Sequence, residues 1–279
     1  MQLPSVNPRP SRDAVFELTS QLRSLLFPGY FDEGDLGREG LRYHTGHTLS
    51  QVRKGLTEQV MRAICFRCTD PTRMRRCEGE AAEKVDQFLQ SLPEIRASLV
   101  EDVKAAYRGD PAANSEEETV FSYPGLTAVT YHRMAHRLYQ LEVPLLARIV
   151  AERSHSLTGI DIHPGASVGP GLFIDHGTGV VIGETAVIGR NVRIYQGVTL
   201  GARSFPLDAE GNPIKGQPRH PIVEDDVVIY SGATVLGRIT VGRGSVIGGN
   251  VWLTESVPPR SRVSQGRPVQ ERFEAGAGI

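Results

Sequence analysis

"VIGETAVIGRNVRIYQGVTLG", residues 181–201, decides how this chain folds. Ile182, Ile188, Ile194 and Leu200 recur every six residues. Four places after each comes a second position, taken in turn by Ala186, Val192, Val198 and Ser204 and mostly small or β-branched. Glycine often follows the first position, as at Gly183, Gly189 and Gly201. No α-helix has a period of six. A six-residue side of a β-coil does, with its apolar residue pointing inward and glycine easing the corner. Three such sides close one coil of a parallel β-helix, and stacked coils bury one continuous apolar column.

The rhythm extends in both directions. Upstream it includes Ile162, Val168 and Ile174, with Thr178 four places after Ile174 expected at a second position; downstream it resumes at Val223, Ile229, Val235, Val241, Ile247 and Leu253. It breaks twice. Two extra residues separate Ile174 from Ile182, inside "DHGTGVV". Between Leu200 and Val223 stands "GARSFPLDAEGNPIKGQPRHPI", rich in Pro, Gly, Asp and Asn, which reads as a loop thrown out of the coil. Breaks in a rigid repeat are where side chains are aimed outward. Both breaks carry a histidine, His176 and His220.

The N-terminal half has a helical texture. In "SRDAVFELTSQLRSLL" a capping Ser11 precedes Val15, Leu18, Leu22 and Leu25 on one face. "LSQVRKGLTEQVMRAI" repeats the pattern, "AAEKVDQFLQSL" follows, and Pro93 stands in the first turn of "EIRASLVEDVKAAY". "GLTAVTYHRMAHRLYQL" and "PLLARIVAERSHS" form a last pair, broken near Pro144. The first seven residues, with two prolines among the first eight, read as loose. The fold class is therefore α + β, an all-helical domain followed by a parallel β-helix of hexapeptide repeats. The boundaries are 1–158 for the helices, 159–259 for the β-helix with its loop at 202–221, and 260–279 for a tail.

Composition narrows the function. A formal net charge of −1 over 279 residues gives no electrostatic case for nucleic acid or an anionic membrane. There is no apolar run long enough to span a bilayer, and no signal-peptide order at the N-terminus, so a cytoplasmic protein is expected. Three cysteines, an odd number, do not suggest a disulfide framework. "CFRCTDPTRMRRC" offers Cys65, Cys68 and Cys77 but no fourth ligand, so no metal is expected. His132 and His136 lie four apart but lack the glutamate of a metalloprotease pair, and read as packing the helices onto the coil. His163 reads as structural or as a support to the site.

"DIHPGA", "DHGTGVVIGETAVIG", "QGVTLG" and "RHP", in that order, resemble the serine O-acetyltransferases, a family of hexapeptide-repeat acyltransferases, and the likeness is dense from about Asp161 to Pro259. The likeness is thinner in "YRGDPAA" and "TYHRMAHRLY", and no close match is evident for residues 1–80. The resemblance implies a left-handed β-helix and transfer of acetyl from acetyl-CoA, a co-substrate, to the hydroxyl of L-serine. It implies His176 as the general base and Asp161 as the carboxylate that orients it. A neutral imidazole suits that task, because its pKa lies near ambient pH. Asp110 and Asp175 are implied to hold the serine amino group, and Arg219 and His220 its carboxylate, as a zwitterion requires. Ala202, Ser231, Gly232 and Gly249 fall where the family lines its pantetheine channel. All three cysteines lie in the helical half, which favours direct transfer over an acyl-cysteine relay.

The family also implies a homotrimer or a dimer of trimers, with active sites in the clefts between prisms, and inhibition by cysteine. A C-terminal isoleucine, here Ile279, implies docking into O-acetylserine sulfhydrylase. Two departures stand out: the 202–221 loop is longer than usual and the C-terminal end is shorter. Competing readings are a hexapeptide acetyltransferase for another hydroxyl such as homoserine or a sugar, a gamma-class carbonic anhydrase, and a non-catalytic scaffold binding sulfhydrylase. Asp110, Asp175 and Arg219 argue for an amino acid acceptor. His163, His176 and His220 lack the close histidine pair of the anhydrase.

Overall fold

The structure is a computed structural model and describes residues 9–31, 37–65 and 71–266. The N-terminal stretch expected to be loose, Cys68 and the tail ending in Ile279 lie outside the described residues. Among the described residues seven helices come first: α1 (Arg12–Leu26), α2 (Arg38–Cys65), α3 (Pro71–Gln90), α4 (Leu92–Gly109), α5 (Glu116–Ser122), α6 (Pro124–Gln140) and α7 (Pro144–Thr158). Ser11 caps α1 by accepting from the Ala14 N–H, and its own N–H donates to Gln59 Oε1 at 2.7 Å, tying α1 to α2. Val15, Leu18, Leu22, Val52, Leu56 and Val60 form the buried stripe that the periodicity predicts. The short α5, capped by Ser115, has too few apolar positions for the periodicity to reveal it.

The cysteines depart from expectation. Cys65 and Cys77 are joined as a disulfide across the α2–α3 hairpin. Both are buried, and Met61 and Ile64 pack against them and against the main core alike. An odd count argues against a framework but does not forbid one bridge between two helix ends.

From Asp161 the chain winds through β1 (Asp161–Ile162), β2 (Ser167–Val168), β3 (Phe173–Ile174), β4 (Val181–Ile182), β5 (Val187–Ile188), β6 (Arg193–Ile194), β7 (Thr199–Gly201), β8 (Ile222–Val223), β9 (Val228–Ile229), β10 (Thr234–Leu236), β11 (Thr240–Val241), β12 (Val246–Ile247), β13 (Trp252–Leu253) and β14 (Arg262–Val263). Every strand pairs in parallel with the strand one coil away. The first sheet runs β1-β4-β7-β10-β13, the second β11-β8-β5-β2 and the third β14-β12-β9-β6-β3. This is the left-handed β-helix, a three-sided prism. Ile162, Ile182, Leu200, Val235 and Leu253 stack inside the first sheet, in register and buried. The strand β14 lies past residue 259 and adds one more rung to the third sheet.

Both breaks shift the inner register. The two extra residues after Ile174 put Val180 into the interior, fully buried, while Thr178 is left exposed. Ser204 is likewise outside, because the chain has already left the coil. The excursion carries a short antiparallel bridge, Leu207 to Pro213, before it returns at Pro221.

One buried ion pair bolts the helices to the prism. Asp102, on α4, is fully buried and takes a bidentate fork from Arg133 of α6, at 2.7 Å on each oxygen. Asp102 Oδ1 also accepts the N–H groups of Gly171 and Leu172, in the turn entering β3. Arg133 donates in addition to the carbonyls of Val168 and Gly169. His136 adds Nδ1 against the Pro164 carbonyl at 2.8 Å, consistent with the packing role read from its spacing. Close approach of α6 depends on Gly125, where a Cβ would overlap the carbonyl oxygen of Ile174.

Replacing Arg133 by alanine leaves a buried carboxylate without its cation. Arg133→Ala is expected to cost about 3–5 kcal/mol of stability, read by urea denaturation. A loss below about 1 kcal/mol would mean that the pair does not carry the junction.

Candidate active site

His176 follows β3 at the edge where the third sheet turns into the first. Its φ of 56° lies in the left-handed region, which holds the imidazole out of the coil. The side chain is 71% exposed, and its Nδ1 stands 3.8 Å from Asp175 Oδ1. Two helix ends converge on this edge. Asp110 caps the C-terminus of α4, and Tyr123 caps the N-terminus of α6. The Tyr123 hydroxyl donates to Asp110 Oδ2 at 2.5 Å, and the Ala112 N–H donates to Oδ1 at 2.8 Å. These bonds, with the nearby His176 and Arg193, hold the Asp110 carboxyl below its ordinary range. Burial and the facing carboxylates of Asp110, Glu118 and Asp175 push the Tyr123 hydroxyl up, so it stays a donor.

Asp161 heads β1 at the same edge, in register with Val181. Among the described residues no hydrogen bond joins Asp161 to His176. Below it the edge continues as a narrow column. The Gly179 N–H donates to the Gly159 carbonyl, Gly197 to Thr178, Gly232 to Gln196 and Asn250 to Ser231. Ser231, Gly232 and Gly249 belong to this column.

Arg219, His220 and Ala202 lie elsewhere, at the opposite edge of the first sheet. Ala202 follows the last residue of β7, where the loop leaves, and Arg219 and His220 precede β8, where it returns. Thr185 organises the return. Its Oγ1 accepts the N–H groups of Arg219 and His220 at 2.8 and 3.1 Å. The His220 Nδ1 accepts the Thr185 N–H at 3.0 Å, which fixes the proton on Nε2. The ring packs on Gly183, where a Cβ would overlap it. Burial and the neighbouring Arg219 push the His220 imidazole down to about 4, so it is a neutral donor. Arg219 donates to Glu184 Oε2 at 2.6 Å, and Glu184 also accepts from Tyr139 at 3.2 Å. Although burial opposes it, the Arg219 guanidinium holds the Glu184 carboxyl low. His163, also at this edge, accepts the Gly165 N–H on Nδ1 at 3.0 Å and so braces its own turn.

The residues expected to form one site thus fall into two groups on opposite edges of one sheet. His176, Asp175, Asp161 and Asp110 share the first, with Ser231, Gly232 and Gly249 beneath. Arg219, His220 and Ala202 share the second. Among the described residues no group of three or more His, Cys, Asp or Glu could hold a metal ion, and no helix is long and apolar enough to cross a membrane.

Comparison with known proteins gives this geometry a context. The plasmid serine acetyltransferase of Synechococcus elongatus is 57% identical over 276 residues, 98% of this chain and 86% of that one. The chain belongs to the serine acetyltransferase family. No family model matches the chain. The crystal structure of serine acetyltransferase isoform 3 from Entamoeba histolytica in complex with cysteine superposes with a TM-score of 0.78 at 36% identity, covering 98% of this chain and 87% of that one. A serine acetyltransferase in complex with CoA is 26% identical, with a TM-score of 0.57 over 89% of this chain and 96% of that one. The cyanobacterial likeness extends through the first eighty residues, which the motifs alone do not match to the family.

Three supporting residues escape the sequence reading. Tyr123 lies in no quoted motif, and Glu184 and Thr185 lie within "DHGTGVVIGETAVIG" with no role read for them; only the fold brings the three to Asp110, Arg219 and His220. The depressed His220 pKa predicts its own signature. Between about pH 6.5, the usual unfolded value, and pH 4, unfolding takes up a proton that the folded ring refuses, so stability falls across that window. NMR of labelled histidine should show His220 neutral, as the Nε2–H tautomer, at pH 5.5. A ring half-protonated at pH 6.5 would contradict the Thr185 clamp.

Proposed function

We propose that this chain transfers the acetyl group of acetyl-CoA to the hydroxyl of L-serine, giving O-acetylserine for cysteine synthesis. One observation carries the reading of the site: a set of carboxylates with an imidazole on one edge of the first sheet, and a guanidinium with a neutral imidazole donor on the other. The four steps from Gly179 to Gly183 cross roughly 13 Å of strand. That is too far for one serine zwitterion to touch both groups in a single chain. A homotrimer of prisms, alone or paired as a dimer of trimers, would set the first edge of one copy against the second edge of its neighbour.

In that cleft Asp110 and Asp175 take the ammonium group, and Arg219 and His220 take the carboxylate. Two N–H or O–H donors already hold Asp110 ionised, which suits a cation. His176 removes the hydroxyl proton as the serine oxygen attacks the thioester carbonyl. The tetrahedral intermediate collapses by breaking the C–S bond, and the imidazolium returns its proton to the departing thiolate. Asp161, at the same edge as His176, is proposed to orient the ring and stabilise its charged form. Acetyl-CoA is proposed to lie along Ser231, Gly232 and Gly249, with Ala202 of the facing edge. Cysteine, an isostere of serine, would occupy the same zwitterion site and inhibit. A cytoplasmic setting and docking of Ile279 into O-acetylserine sulfhydrylase belong to this proposal as well.

Steady-state assays with acetyl-CoA should show strong preference for L-serine over homoserine and over a galactoside. His176→Ala should lower kcat by about 10²- to 10⁴-fold. Retention of the parent rate would remove the proposed base. Mixing chains tests the shared cleft. Co-expressed His176→Ala and Arg219→Ala chains, each inactive alone, should regain part of the parent activity, because some clefts unite two intact edges. No recovery in a confirmed mixed oligomer would place the whole site in one chain.

A further inference from the structure

The edge that carries His176 also carries an aromatic ladder. Ile174 pairs with Ile194, Ile194 with Ile229, and Ile229 with Ile247. The residues that follow them, Asp175, Tyr195, Tyr230 and Gly248, are therefore stacked one per coil. The rings of Tyr195 and Tyr230 lie parallel, with centroids 5.1 Å apart and planes 7° apart. One face of Tyr230 rests on Tyr195. The other looks toward the next coil, where the register supplies Gly248 and no side chain, and Tyr230 is 43% exposed. Coils repeat at roughly 4.8 Å. The missing rung therefore leaves the thickness of one planar ring between Tyr230 and the level of Ser264, which pairs next in the column.

The ladder has a direction. At the Asp175 end the helices pack on the prism: α4 lies against the first two coils, where a Cβ at Gly109 would overlap Phe173 and Arg193, and α6 against the first, where one at Gly125 would overlap Ile174. Away from the helices, a long donor with its thioester at His176 runs down the column, past the small residues Gly197, Ser231 and Gly232. Of the parts of acetyl-CoA, the pantetheine is aliphatic and amide, the phosphates are charged, and only the adenine is a flat π-system. We propose that Tyr230 is the platform for the adenine of acetyl-CoA, which stacks on its open face above Gly248 and completes the ladder begun by Tyr195. This rests on the acetyl transfer proposed above.

Donor truncation tests it. Tyr230→Ala should raise KM for acetyl-CoA about tenfold, the size of one lost base–aromatic stack, with little change in kcat. The effect should vanish with acetyl-pantetheine, which lacks the nucleotide. Tyr230→Phe, which keeps the ring, should match the parent with both donors. The adenosine bisphosphate fragment of CoA should inhibit the parent competitively and the alanine variant about tenfold less. An equal rise for both donors, no rise for either, or loss of the oligomer on sedimentation would each overturn the platform. A parent protein that turns over neither donor would instead overturn the acetyltransferase reading itself.

Discussion

Asp102 and Arg133 are the constraint on which the rest of the structure depends. Neither half of the chain could hold the candidate site alone. Asp110 and Tyr123 are helix caps, whereas His176 sits on the prism. The ion pair sets α4 and α6 against the first coil, and these helices present those caps on the correct edge. Four donors meet the buried carboxylate, and Arg133 spends its remaining N–H groups on the carbonyls of Val168 and Gly169. A hydrophobic junction could supply similar adhesion. It would not fix the rotation of the helices about the prism as a bidentate fork does.

The prism contributes rigidity and a coordinate system. Parallel strands of two or three residues keep each coil in register with the next, so a residue's place along the chain fixes its edge and its level. Outward function is confined to the corners, where the inward pattern does not govern the side chains. His176 uses a two-residue insertion and a left-handed backbone to leave the coil. His220 uses a much longer excursion and is recaptured by Thr185. The proposed chemistry needs both, and the distance across the first sheet makes assembly of several chains part of the proposed site.

Much of this is legible in the sequence, for reasons that differ by region. The six-residue beat names the buried column almost residue by residue, because each coil repeats the same steric problem. It misplaces Thr178 and Ser204, since counting in sixes cannot say where an insertion restarts the register. The long helices show in the 3.6-residue period, whereas α5 is too short to show it. The Cys65–Cys77 bridge is hidden, because parity of a count says nothing about which helix ends meet. Asp110, His176 and His220 are marked by motif. The roles of Tyr123, Thr185 and Glu184 are not, even though the last two stand inside a quoted motif, because they serve other side chains across 13, 35 and 35 residues of sequence.

The Thr185 clamp has a consequence for how such a chain can diverge. The hydroxyl holds the backbone at Arg219 and His220 directly, so the intervening segment transmits no geometry to them. Closing a longer excursion costs only a logarithmic increment of chain entropy. Its length and composition are therefore free to drift, lengthening or acquiring new contacts, while the imidazole beneath it stays where Gly183 and Thr185 put it. The anchor separates the part of the molecule that is under geometric constraint from the part that is open to innovation.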